Sequence, residues 1–121
     1  MARTTLTKTT ALGAYSASYA TANAADATFT AADASNGNQF VAGNNDLVVV
    51  RNSGASPYTL TISSVVDPYA RTGDITTYSI GAGEYAVFGP FRNVGWMQSD
   101  GYVYLTGSNA SLLIGVIALP S

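Results

Sequence analysis

From Ala27 onward, short runs rich in Val, Ile, Thr and Tyr are cut off every few residues by clusters of Gly, Asn, Asp, Ser and Pro. No run is long enough for a helix of about ten residues, so the punctuation dictates strands joined by turns. The segments that read as strands are 28–30, 39–42, 46–52, 57–63, 75–80, 84–88, 95–98, 102–106 and 111–119. In 46–52 the consecutive residues Leu47, Val48, Val49 and Val50 predict a strand covered on both faces, central in the core or at a subunit contact. In 57–63, Tyr58, Leu60 and Ile62 alternate with Thr59, Thr61 and Ser63, the pattern of a half-buried strand with one polar side. Asn36-Gly37, Gly81-Ala82-Gly83 and Asp100-Gly101 supply turn chemistry. Proline offers no backbone donor, so Gly89-Pro90 is expected to end the strand before it and leave Phe91 free to fold inward.

Residues 1–25 differ from the rest: Thr, Ala and Ser dominate, and the large apolar or aromatic side chains are Leu6, Leu12, Tyr15 and Tyr19. Gly13 and the scattered Thr and Ser weaken any helix, and no apolar stripe with a 3.6-residue period appears. The expectation is an extended N-terminal arm over 1–25 and a single β domain over 26–121. The predicted fold class is all-β: a compact antiparallel sandwich or barrel, jelly-roll-like or β-tulip-like, of about eight or nine short strands.

Charge separates the two parts. The arm carries Arg3 and Lys8 and no acid, whereas the remainder sets Arg51, Arg71 and Arg92 against all seven acids. A basic tail on an acidic body suits docking on an acidic neighbour. Charged residues make up only 10% of the chain, so its surface is built from Thr, Ser, Asn, Gly and Ala, and such a surface repels its neighbours little. Self-association follows naturally from that composition.

Much chemistry is excluded by what is missing. Histidine and cysteine are both absent, which removes serine triads, thiol nucleophiles, ordinary zinc sites and disulfides together. The expectation is a protein that is not an enzyme and has no cofactor or metal site. Carboxylate chemistry survives only as a loose grouping of Asp67, Arg71 and Asp74, whose plainer role is loop hydrogen bonding. Asp33, Ser35 and Gly37 have the look of a calcium loop, but Asn44 stands where the closing Glu belongs. Gly81-Ala82-Gly83 is not followed by Gly-Lys-Ser or Gly-Lys-Thr, so it is a hairpin turn and not a phosphate loop. Arg3 and Lys8 precede no continuous apolar run, and the run 112–119 is too short to span a bilayer; a soluble protein made without an export signal is expected. The glycosylation triplet Asn109-Ala110-Ser111 is discounted on that ground.

Eight tyrosines and Trp96 offer flat aromatic faces for sugars or nucleic-acid bases. The acidic body lacks the basic footprint of nucleic-acid binding, so core and subunit contacts are the expected roles. A carbohydrate-binding or adhesin-like module on a virion, as a tail or head-fibre component using Trp96 and exposed tyrosines, is the alternative.

Several short motifs occur in a telling order: Asn36-Gly37-Asn38-Gln39-Phe40, Val48-Val49-Val50-Arg51-Asn52, Asp67-Pro68-Tyr69, Arg71-Thr72-Gly73-Asp74, Phe88-Gly89-Pro90-Phe91, Gly95-Trp96 and Gln98-Ser99-Asp100-Gly101-Tyr102. In their order and spacing, from about Ala31 to the C-terminal end, the chain resembles small virion structural proteins of tailed phages and prophages. A Thr/Ala-rich arm on a compact β domain is similar in layout to their head-decoration, capsid-stabilising proteins. The resemblance implies a place on the capsid surface after synthesis in the host cytoplasm. It also implies the major capsid protein and further copies of itself, as a homotrimer, as partners, with neither nucleic acid nor membrane involved. On this reading Leu6, Leu12, Tyr15 and Tyr19 anchor the arm by apolar burial, while Arg3 and Lys8 pair with acids of the partner.

Overall fold

Alternation decides which side of each strand is buried, and two apolar sides close on each other. The computed structural model describes residues 3–11, 26–66 and 68–119. Its strands are β1 (Thr4–Thr5), β2 (Lys8–Thr10), β3 (Thr30–Ala31), β4 (Asn38–Val41), β5 (Asp46–Asn52), β6 (Tyr58–Ile62), β7 (Ile75–Ile80), β8 (Tyr85–Phe91), β9 (Tyr102–Gly107) and β10 (Leu112–Ala118). No helix occurs among the described residues. One sheet runs β1-β4-β9-β6-β7; the other runs β2-β10-β5-β8, with β3 also paired to β10. The chain is therefore all-β, two mixed sheets packed as a sandwich.

The core fills from the facing sides. Phe40, Leu60, Ile62, Val103 and Leu105 come from the first sheet, and Val48, Val50, Leu112, Ile114 and Val116 from the second, all with essentially no exposure. Full burial of each such side chain stabilises by about 1.5–3 kcal/mol, which is how a chain with no disulfide holds together. Most buried polar side-chain groups are satisfied, the Asn93 Oδ1 being an exception among the described residues. Asn52 Nδ2 donates to the carbonyls of Ser56 (2.8 Å) and Ile80 (2.9 Å), and its Oδ1 accepts from the Gly54 amide (2.9 Å), which ties the end of β5 to the turns beside it. Asn38 Oδ1 likewise accepts from the Asp33 amide (2.9 Å).

Strands β5 and β7 coincide with the segments expected from sequence, and Phe91 does fold inward. Three details differ. Strand β8 continues through Gly89-Pro90 to Phe91, because Asp46 pairs with Phe91 and Val48 with Phe88, placing two residues opposite one. Proline is accommodated there in a bulge on the edge strand of its sheet, where its missing donor breaks no ladder. Residues 95–98 form no strand. The amides of Trp96 (3.3 Å) and Met97 (3.0 Å) both donate to the carbonyl of Asn93, and Gly95 adopts φ 92°, so this stretch is a turn. Finally, the sheets are mixed and not purely antiparallel, and the N-terminal residues are the cause.

Residues 3–11 belong to both sheets. Strand β1 lies parallel to β4, with Thr4 opposite Asn38, and β2 lies parallel to β10, with Lys8 opposite Val116. Between them Leu6 donates its amide to Gln39 (2.7 Å) and drops its side chain, 4% exposed, into the core. The chain thus crosses from the edge of one sheet to the edge of the other within a few residues. Parallel partners need long connections, and both partners here are distant in sequence. Leu6→Ala should lower the unfolding free energy by about 2–5 kcal/mol, read from the urea midpoint, because it opens a cavity where the two sheets meet.

Candidate interaction surfaces

The two outer faces of the sandwich differ in chemistry. On the outside of β5, Leu47 and Val49 are half-buried and Arg51 is exposed. Register extends this row across the sheet: Val49 faces Gly115 and Val87, Leu47 faces Ile117, and Arg51 faces Leu113 and Tyr85. Directly opposed residues share a face, so these side chains form one continuous apolar field. Val87 and Tyr85 are each 63% exposed. Gly115 leaves room for the Phe29 ring, whose atoms lie 3.1–3.3 Å from where a Cβ would stand. Arg51 is the field's one charged side chain among the described residues of these strands, and its guanidinium lies 5.9 Å from the Tyr85 ring centre.

The outside of the first sheet is polar and nearly uncharged. Gln39 pairs with Tyr104, Thr61 with Thr106, and Thr59 with Ser79, giving a surface rich in hydroxyls, with Val41, 52% exposed, beside Tyr102 at one end. Arg3 lies across it, its guanidinium carbon 4.3 Å from the centre of the Tyr104 ring. Its Nη1 donates to the carbonyls of Asn38 and Leu105 (both 3.1 Å). The Tyr104 hydroxyl donates to the Asp100 carboxylate. That hydrogen bond, with burial and the Asp100 charge adding to it, pushes the phenol above its ordinary value, against an opposing pull from Arg3.

The arm residues singled out from sequence divide into two groups. Arg3, Leu6 and Lys8 make their contacts inside the chain: Arg3 on strand carbonyls, Leu6 in the core, and Lys8 with the buried carboxylate of Asp46 at 3.2 Å. Asp46 also accepts from the Gly43 amide (2.7 Å), so its charge is both paired and hydrogen-bonded. Leu12, Tyr15 and Tyr19 lie outside the described residues. The grouping of Asp67, Arg71 and Asp74 is likewise only partly described, since Asp67 lies outside. Arg71 stands 5.0 Å from the Tyr69 ring centre, and Asp74 accepts from the hydroxyl (2.6 Å) and amide (2.7 Å) of Ser64.

Trp96 is half-buried, its ring set edge-on to Phe91 at 4.8 Å. It also lines an open cleft between the segment after β6 and the turn after β8, together with Arg71 and Arg92. In the sequence Trp96 stands out only as an aromatic and Arg92 only as a charge. Comparison with known proteins finds no matching family model, no matching curated protein and no matching solved structure.

Two carboxylates make stability pH-dependent. The Thr4 hydroxyl (2.6 Å), and after it the Asn36 amide (3.0 Å), hold Asp33 below the ordinary 3.8; the Ser64 hydroxyl and amide do the same for Asp74. A depressed folded-state pKa adds stability above the unfolded value, lost as pH falls through the folded one. The raised phenol of Tyr104 acts oppositely: its contribution is present below 10.0 and is lost as pH rises through its folded value. The urea midpoint should therefore be flat near neutrality, fall below about pH 4 and fall again in strong alkali. Asp33→Asn should flatten the acid limb, and Tyr104→Phe the alkaline one.

Proposed function

We propose that this chain is a structural virion protein, a capsid decoration or cement protein that binds the outer shell and stabilises junctions between major capsid protein subunits. The observation that carries the reading is the apolar outer face of the β10-β5-β8 sheet, with Val49, Val87, Tyr85 and Leu113 side by side and Arg51 the charge among them. A contiguous apolar field of this kind is rarely left to water in a soluble monomer. A neighbouring protein subunit covers it well, because desolvating it strips almost no charge. The opposite face, rich in hydroxyls, suits a wetter and weaker contact repeated many times by symmetry.

On this reading attachment uses this sheet face, since Arg3, Leu6 and Lys8 already make contacts within the chain. The order of its short motifs resembles that of small tailed-phage virion proteins, which is in keeping with this reading. Self-association as a homotrimer fits a low-charge surface, and the chain's five basic residues against seven acids do not favour nucleic acid. Val87→Glu tests the reading. Val87 is 63% exposed, so folding stability should change by no more than about 0.5 kcal/mol. Co-sedimentation with particles stripped of the protein should nevertheless be lost. In intact particles the chain should be present in numbers comparable to the major shell protein; a few copies per particle would speak for a fibre component instead.

A further inference from the structure

Sheet edges carry unpaired amides and carbonyls, and this chain treats its edges unequally. Strand β1 covers the edge of β4, and β2 and β3 cover that of β10. The edge strand β7 is interrupted: Thr76 and Thr77 together stand opposite Thr61, and Thr77 adopts φ 46°. The edge strand β8 is different over residues 85–88. Its register to β5 runs unbroken from Arg51 opposite Tyr85 to Val48 opposite Phe88, and the bulge comes only after it. Tyr85, Ala86, Val87 and Phe88 also carry no charge, the device that commonly keeps an exposed edge from pairing.

The ladder fixes where the backbone of this stretch points. Antiparallel partners alternate between pairs that exchange both backbone hydrogen bonds and pairs that exchange none. The Asn52 amide donates to the Glu84 carbonyl (2.9 Å), and on the other side of β5 the Ser53 amide donates to the Ser111 carbonyl (2.9 Å). Alternation from those two bonds turns Val50 to Ala86 and Val48 to Phe88, and turns Arg51 and Val49 to β10. Tyr85 and Val87 therefore direct their amides and carbonyls away from β5, to the side of β8 on which no strand pairs among the described residues. Their side chains, each 63% exposed, lie in the apolar field.

A second copy fits this edge by symmetry. A two-fold axis at Ala86 sets two such strands antiparallel, with Tyr85 of each copy opposite Val87 of the other. These are the residues whose backbone points outward, so both pairs exchange both hydrogen bonds. An aromatic side chain then sits beside a β-branched one on the apolar face, a favourable cross-strand pair. Like charges do not meet, and the Arg51 guanidinium stays by its own Tyr85, 5.9 Å from the ring centre. Because each copy uses the same patch, the contact closes as a pair and does not propagate.

We propose that two copies of this chain associate through the β8 edge, antiparallel about a two-fold axis at Ala86, so that their β10-β5-β8 sheets become one continuous sheet. The inference goes beyond the decoration reading and is tested on the free chain with no shell present; the homotrimer of that reading would need a different, three-fold contact. Sedimentation equilibrium of the purified full chain should give a mass that rises with concentration to twice that of one chain. Hydrogen exchange of the Tyr85 and Val87 amides should slow by about tenfold or more from the dilute to the paired protein. Val87→Pro removes an outward donor and no bond of the β5 ladder, so it should weaken pairing by about tenfold or more. At the dilution where the parent is a single chain, the variant's urea midpoint should stay near the parent's; if the variant fails to fold, exchange at Tyr85 and Val87 in the parent still decides. Single chains up to about 1 mM, a trimer in solution, or a pair whose Tyr85 and Val87 amides exchange as fast as in the dilute chain would each overturn the proposal.

Discussion

Leu6 sits where the N-terminal segment passes from the edge of one sheet to the edge of the other, and the sandwich depends on that crossing. Burying one leucine there does more than add apolar area, because the residues on either side cover strand edges that would otherwise lie open. The amides of Thr4 and Leu6 donate to the carbonyls of Gly37 and Gln39 along β4, and the Ala11 amide donates to Ala118 along β10. Arg3 and Lys8 reinforce both ends, one on strand carbonyls and one on Asp46. A stretch with the composition of a free tail thus works as a clasp.

Local rules and long-range pairing explain how much of this was legible in the residues. Tyr58, Leu60 and Ile62 alternate with threonines, and turn residues bracket 46–52 and 75–80, so those strands follow from side-chain period and backbone freedom alone. The strands at 4–5 and 8–10 carry no such signal. Their pairing partners stand near residues 38 and 116, and nothing local announces a parallel contact across that distance. Gly89-Pro90 misleads for a related reason: a proline stops a central strand, but β8 is an edge strand with a bulge, and edge position is a property of the whole sheet. The cleft was out of reach for the same cause, since its lining comes from two loops that are distant in sequence. Trp96 could be singled out as an aromatic, but not its neighbours.

Surface chemistry differs from one part of the fold to another. The run 47–50 splits by alternation, Val48 and Val50 going to the core and Leu47 and Val49 outward, where they continue into Val87 and Leu113. The hydroxyl face of the other sheet is quieter. Arg71, Arg92 and Trp96 line an open cleft formed by two loops.

The clasp commits Arg3, Leu6 and Lys8 to contacts within the chain, on strand carbonyls, in the core and on Asp46. Native-state hydrogen exchange of the Leu6 and Ala11 amides measures it directly. The account predicts protection comparable to that of amides in β9 and β10, lost only with global unfolding. Exchange of Leu6 and Ala11 at the rate of an unstructured peptide, while β9 and β10 stay protected, would contradict it.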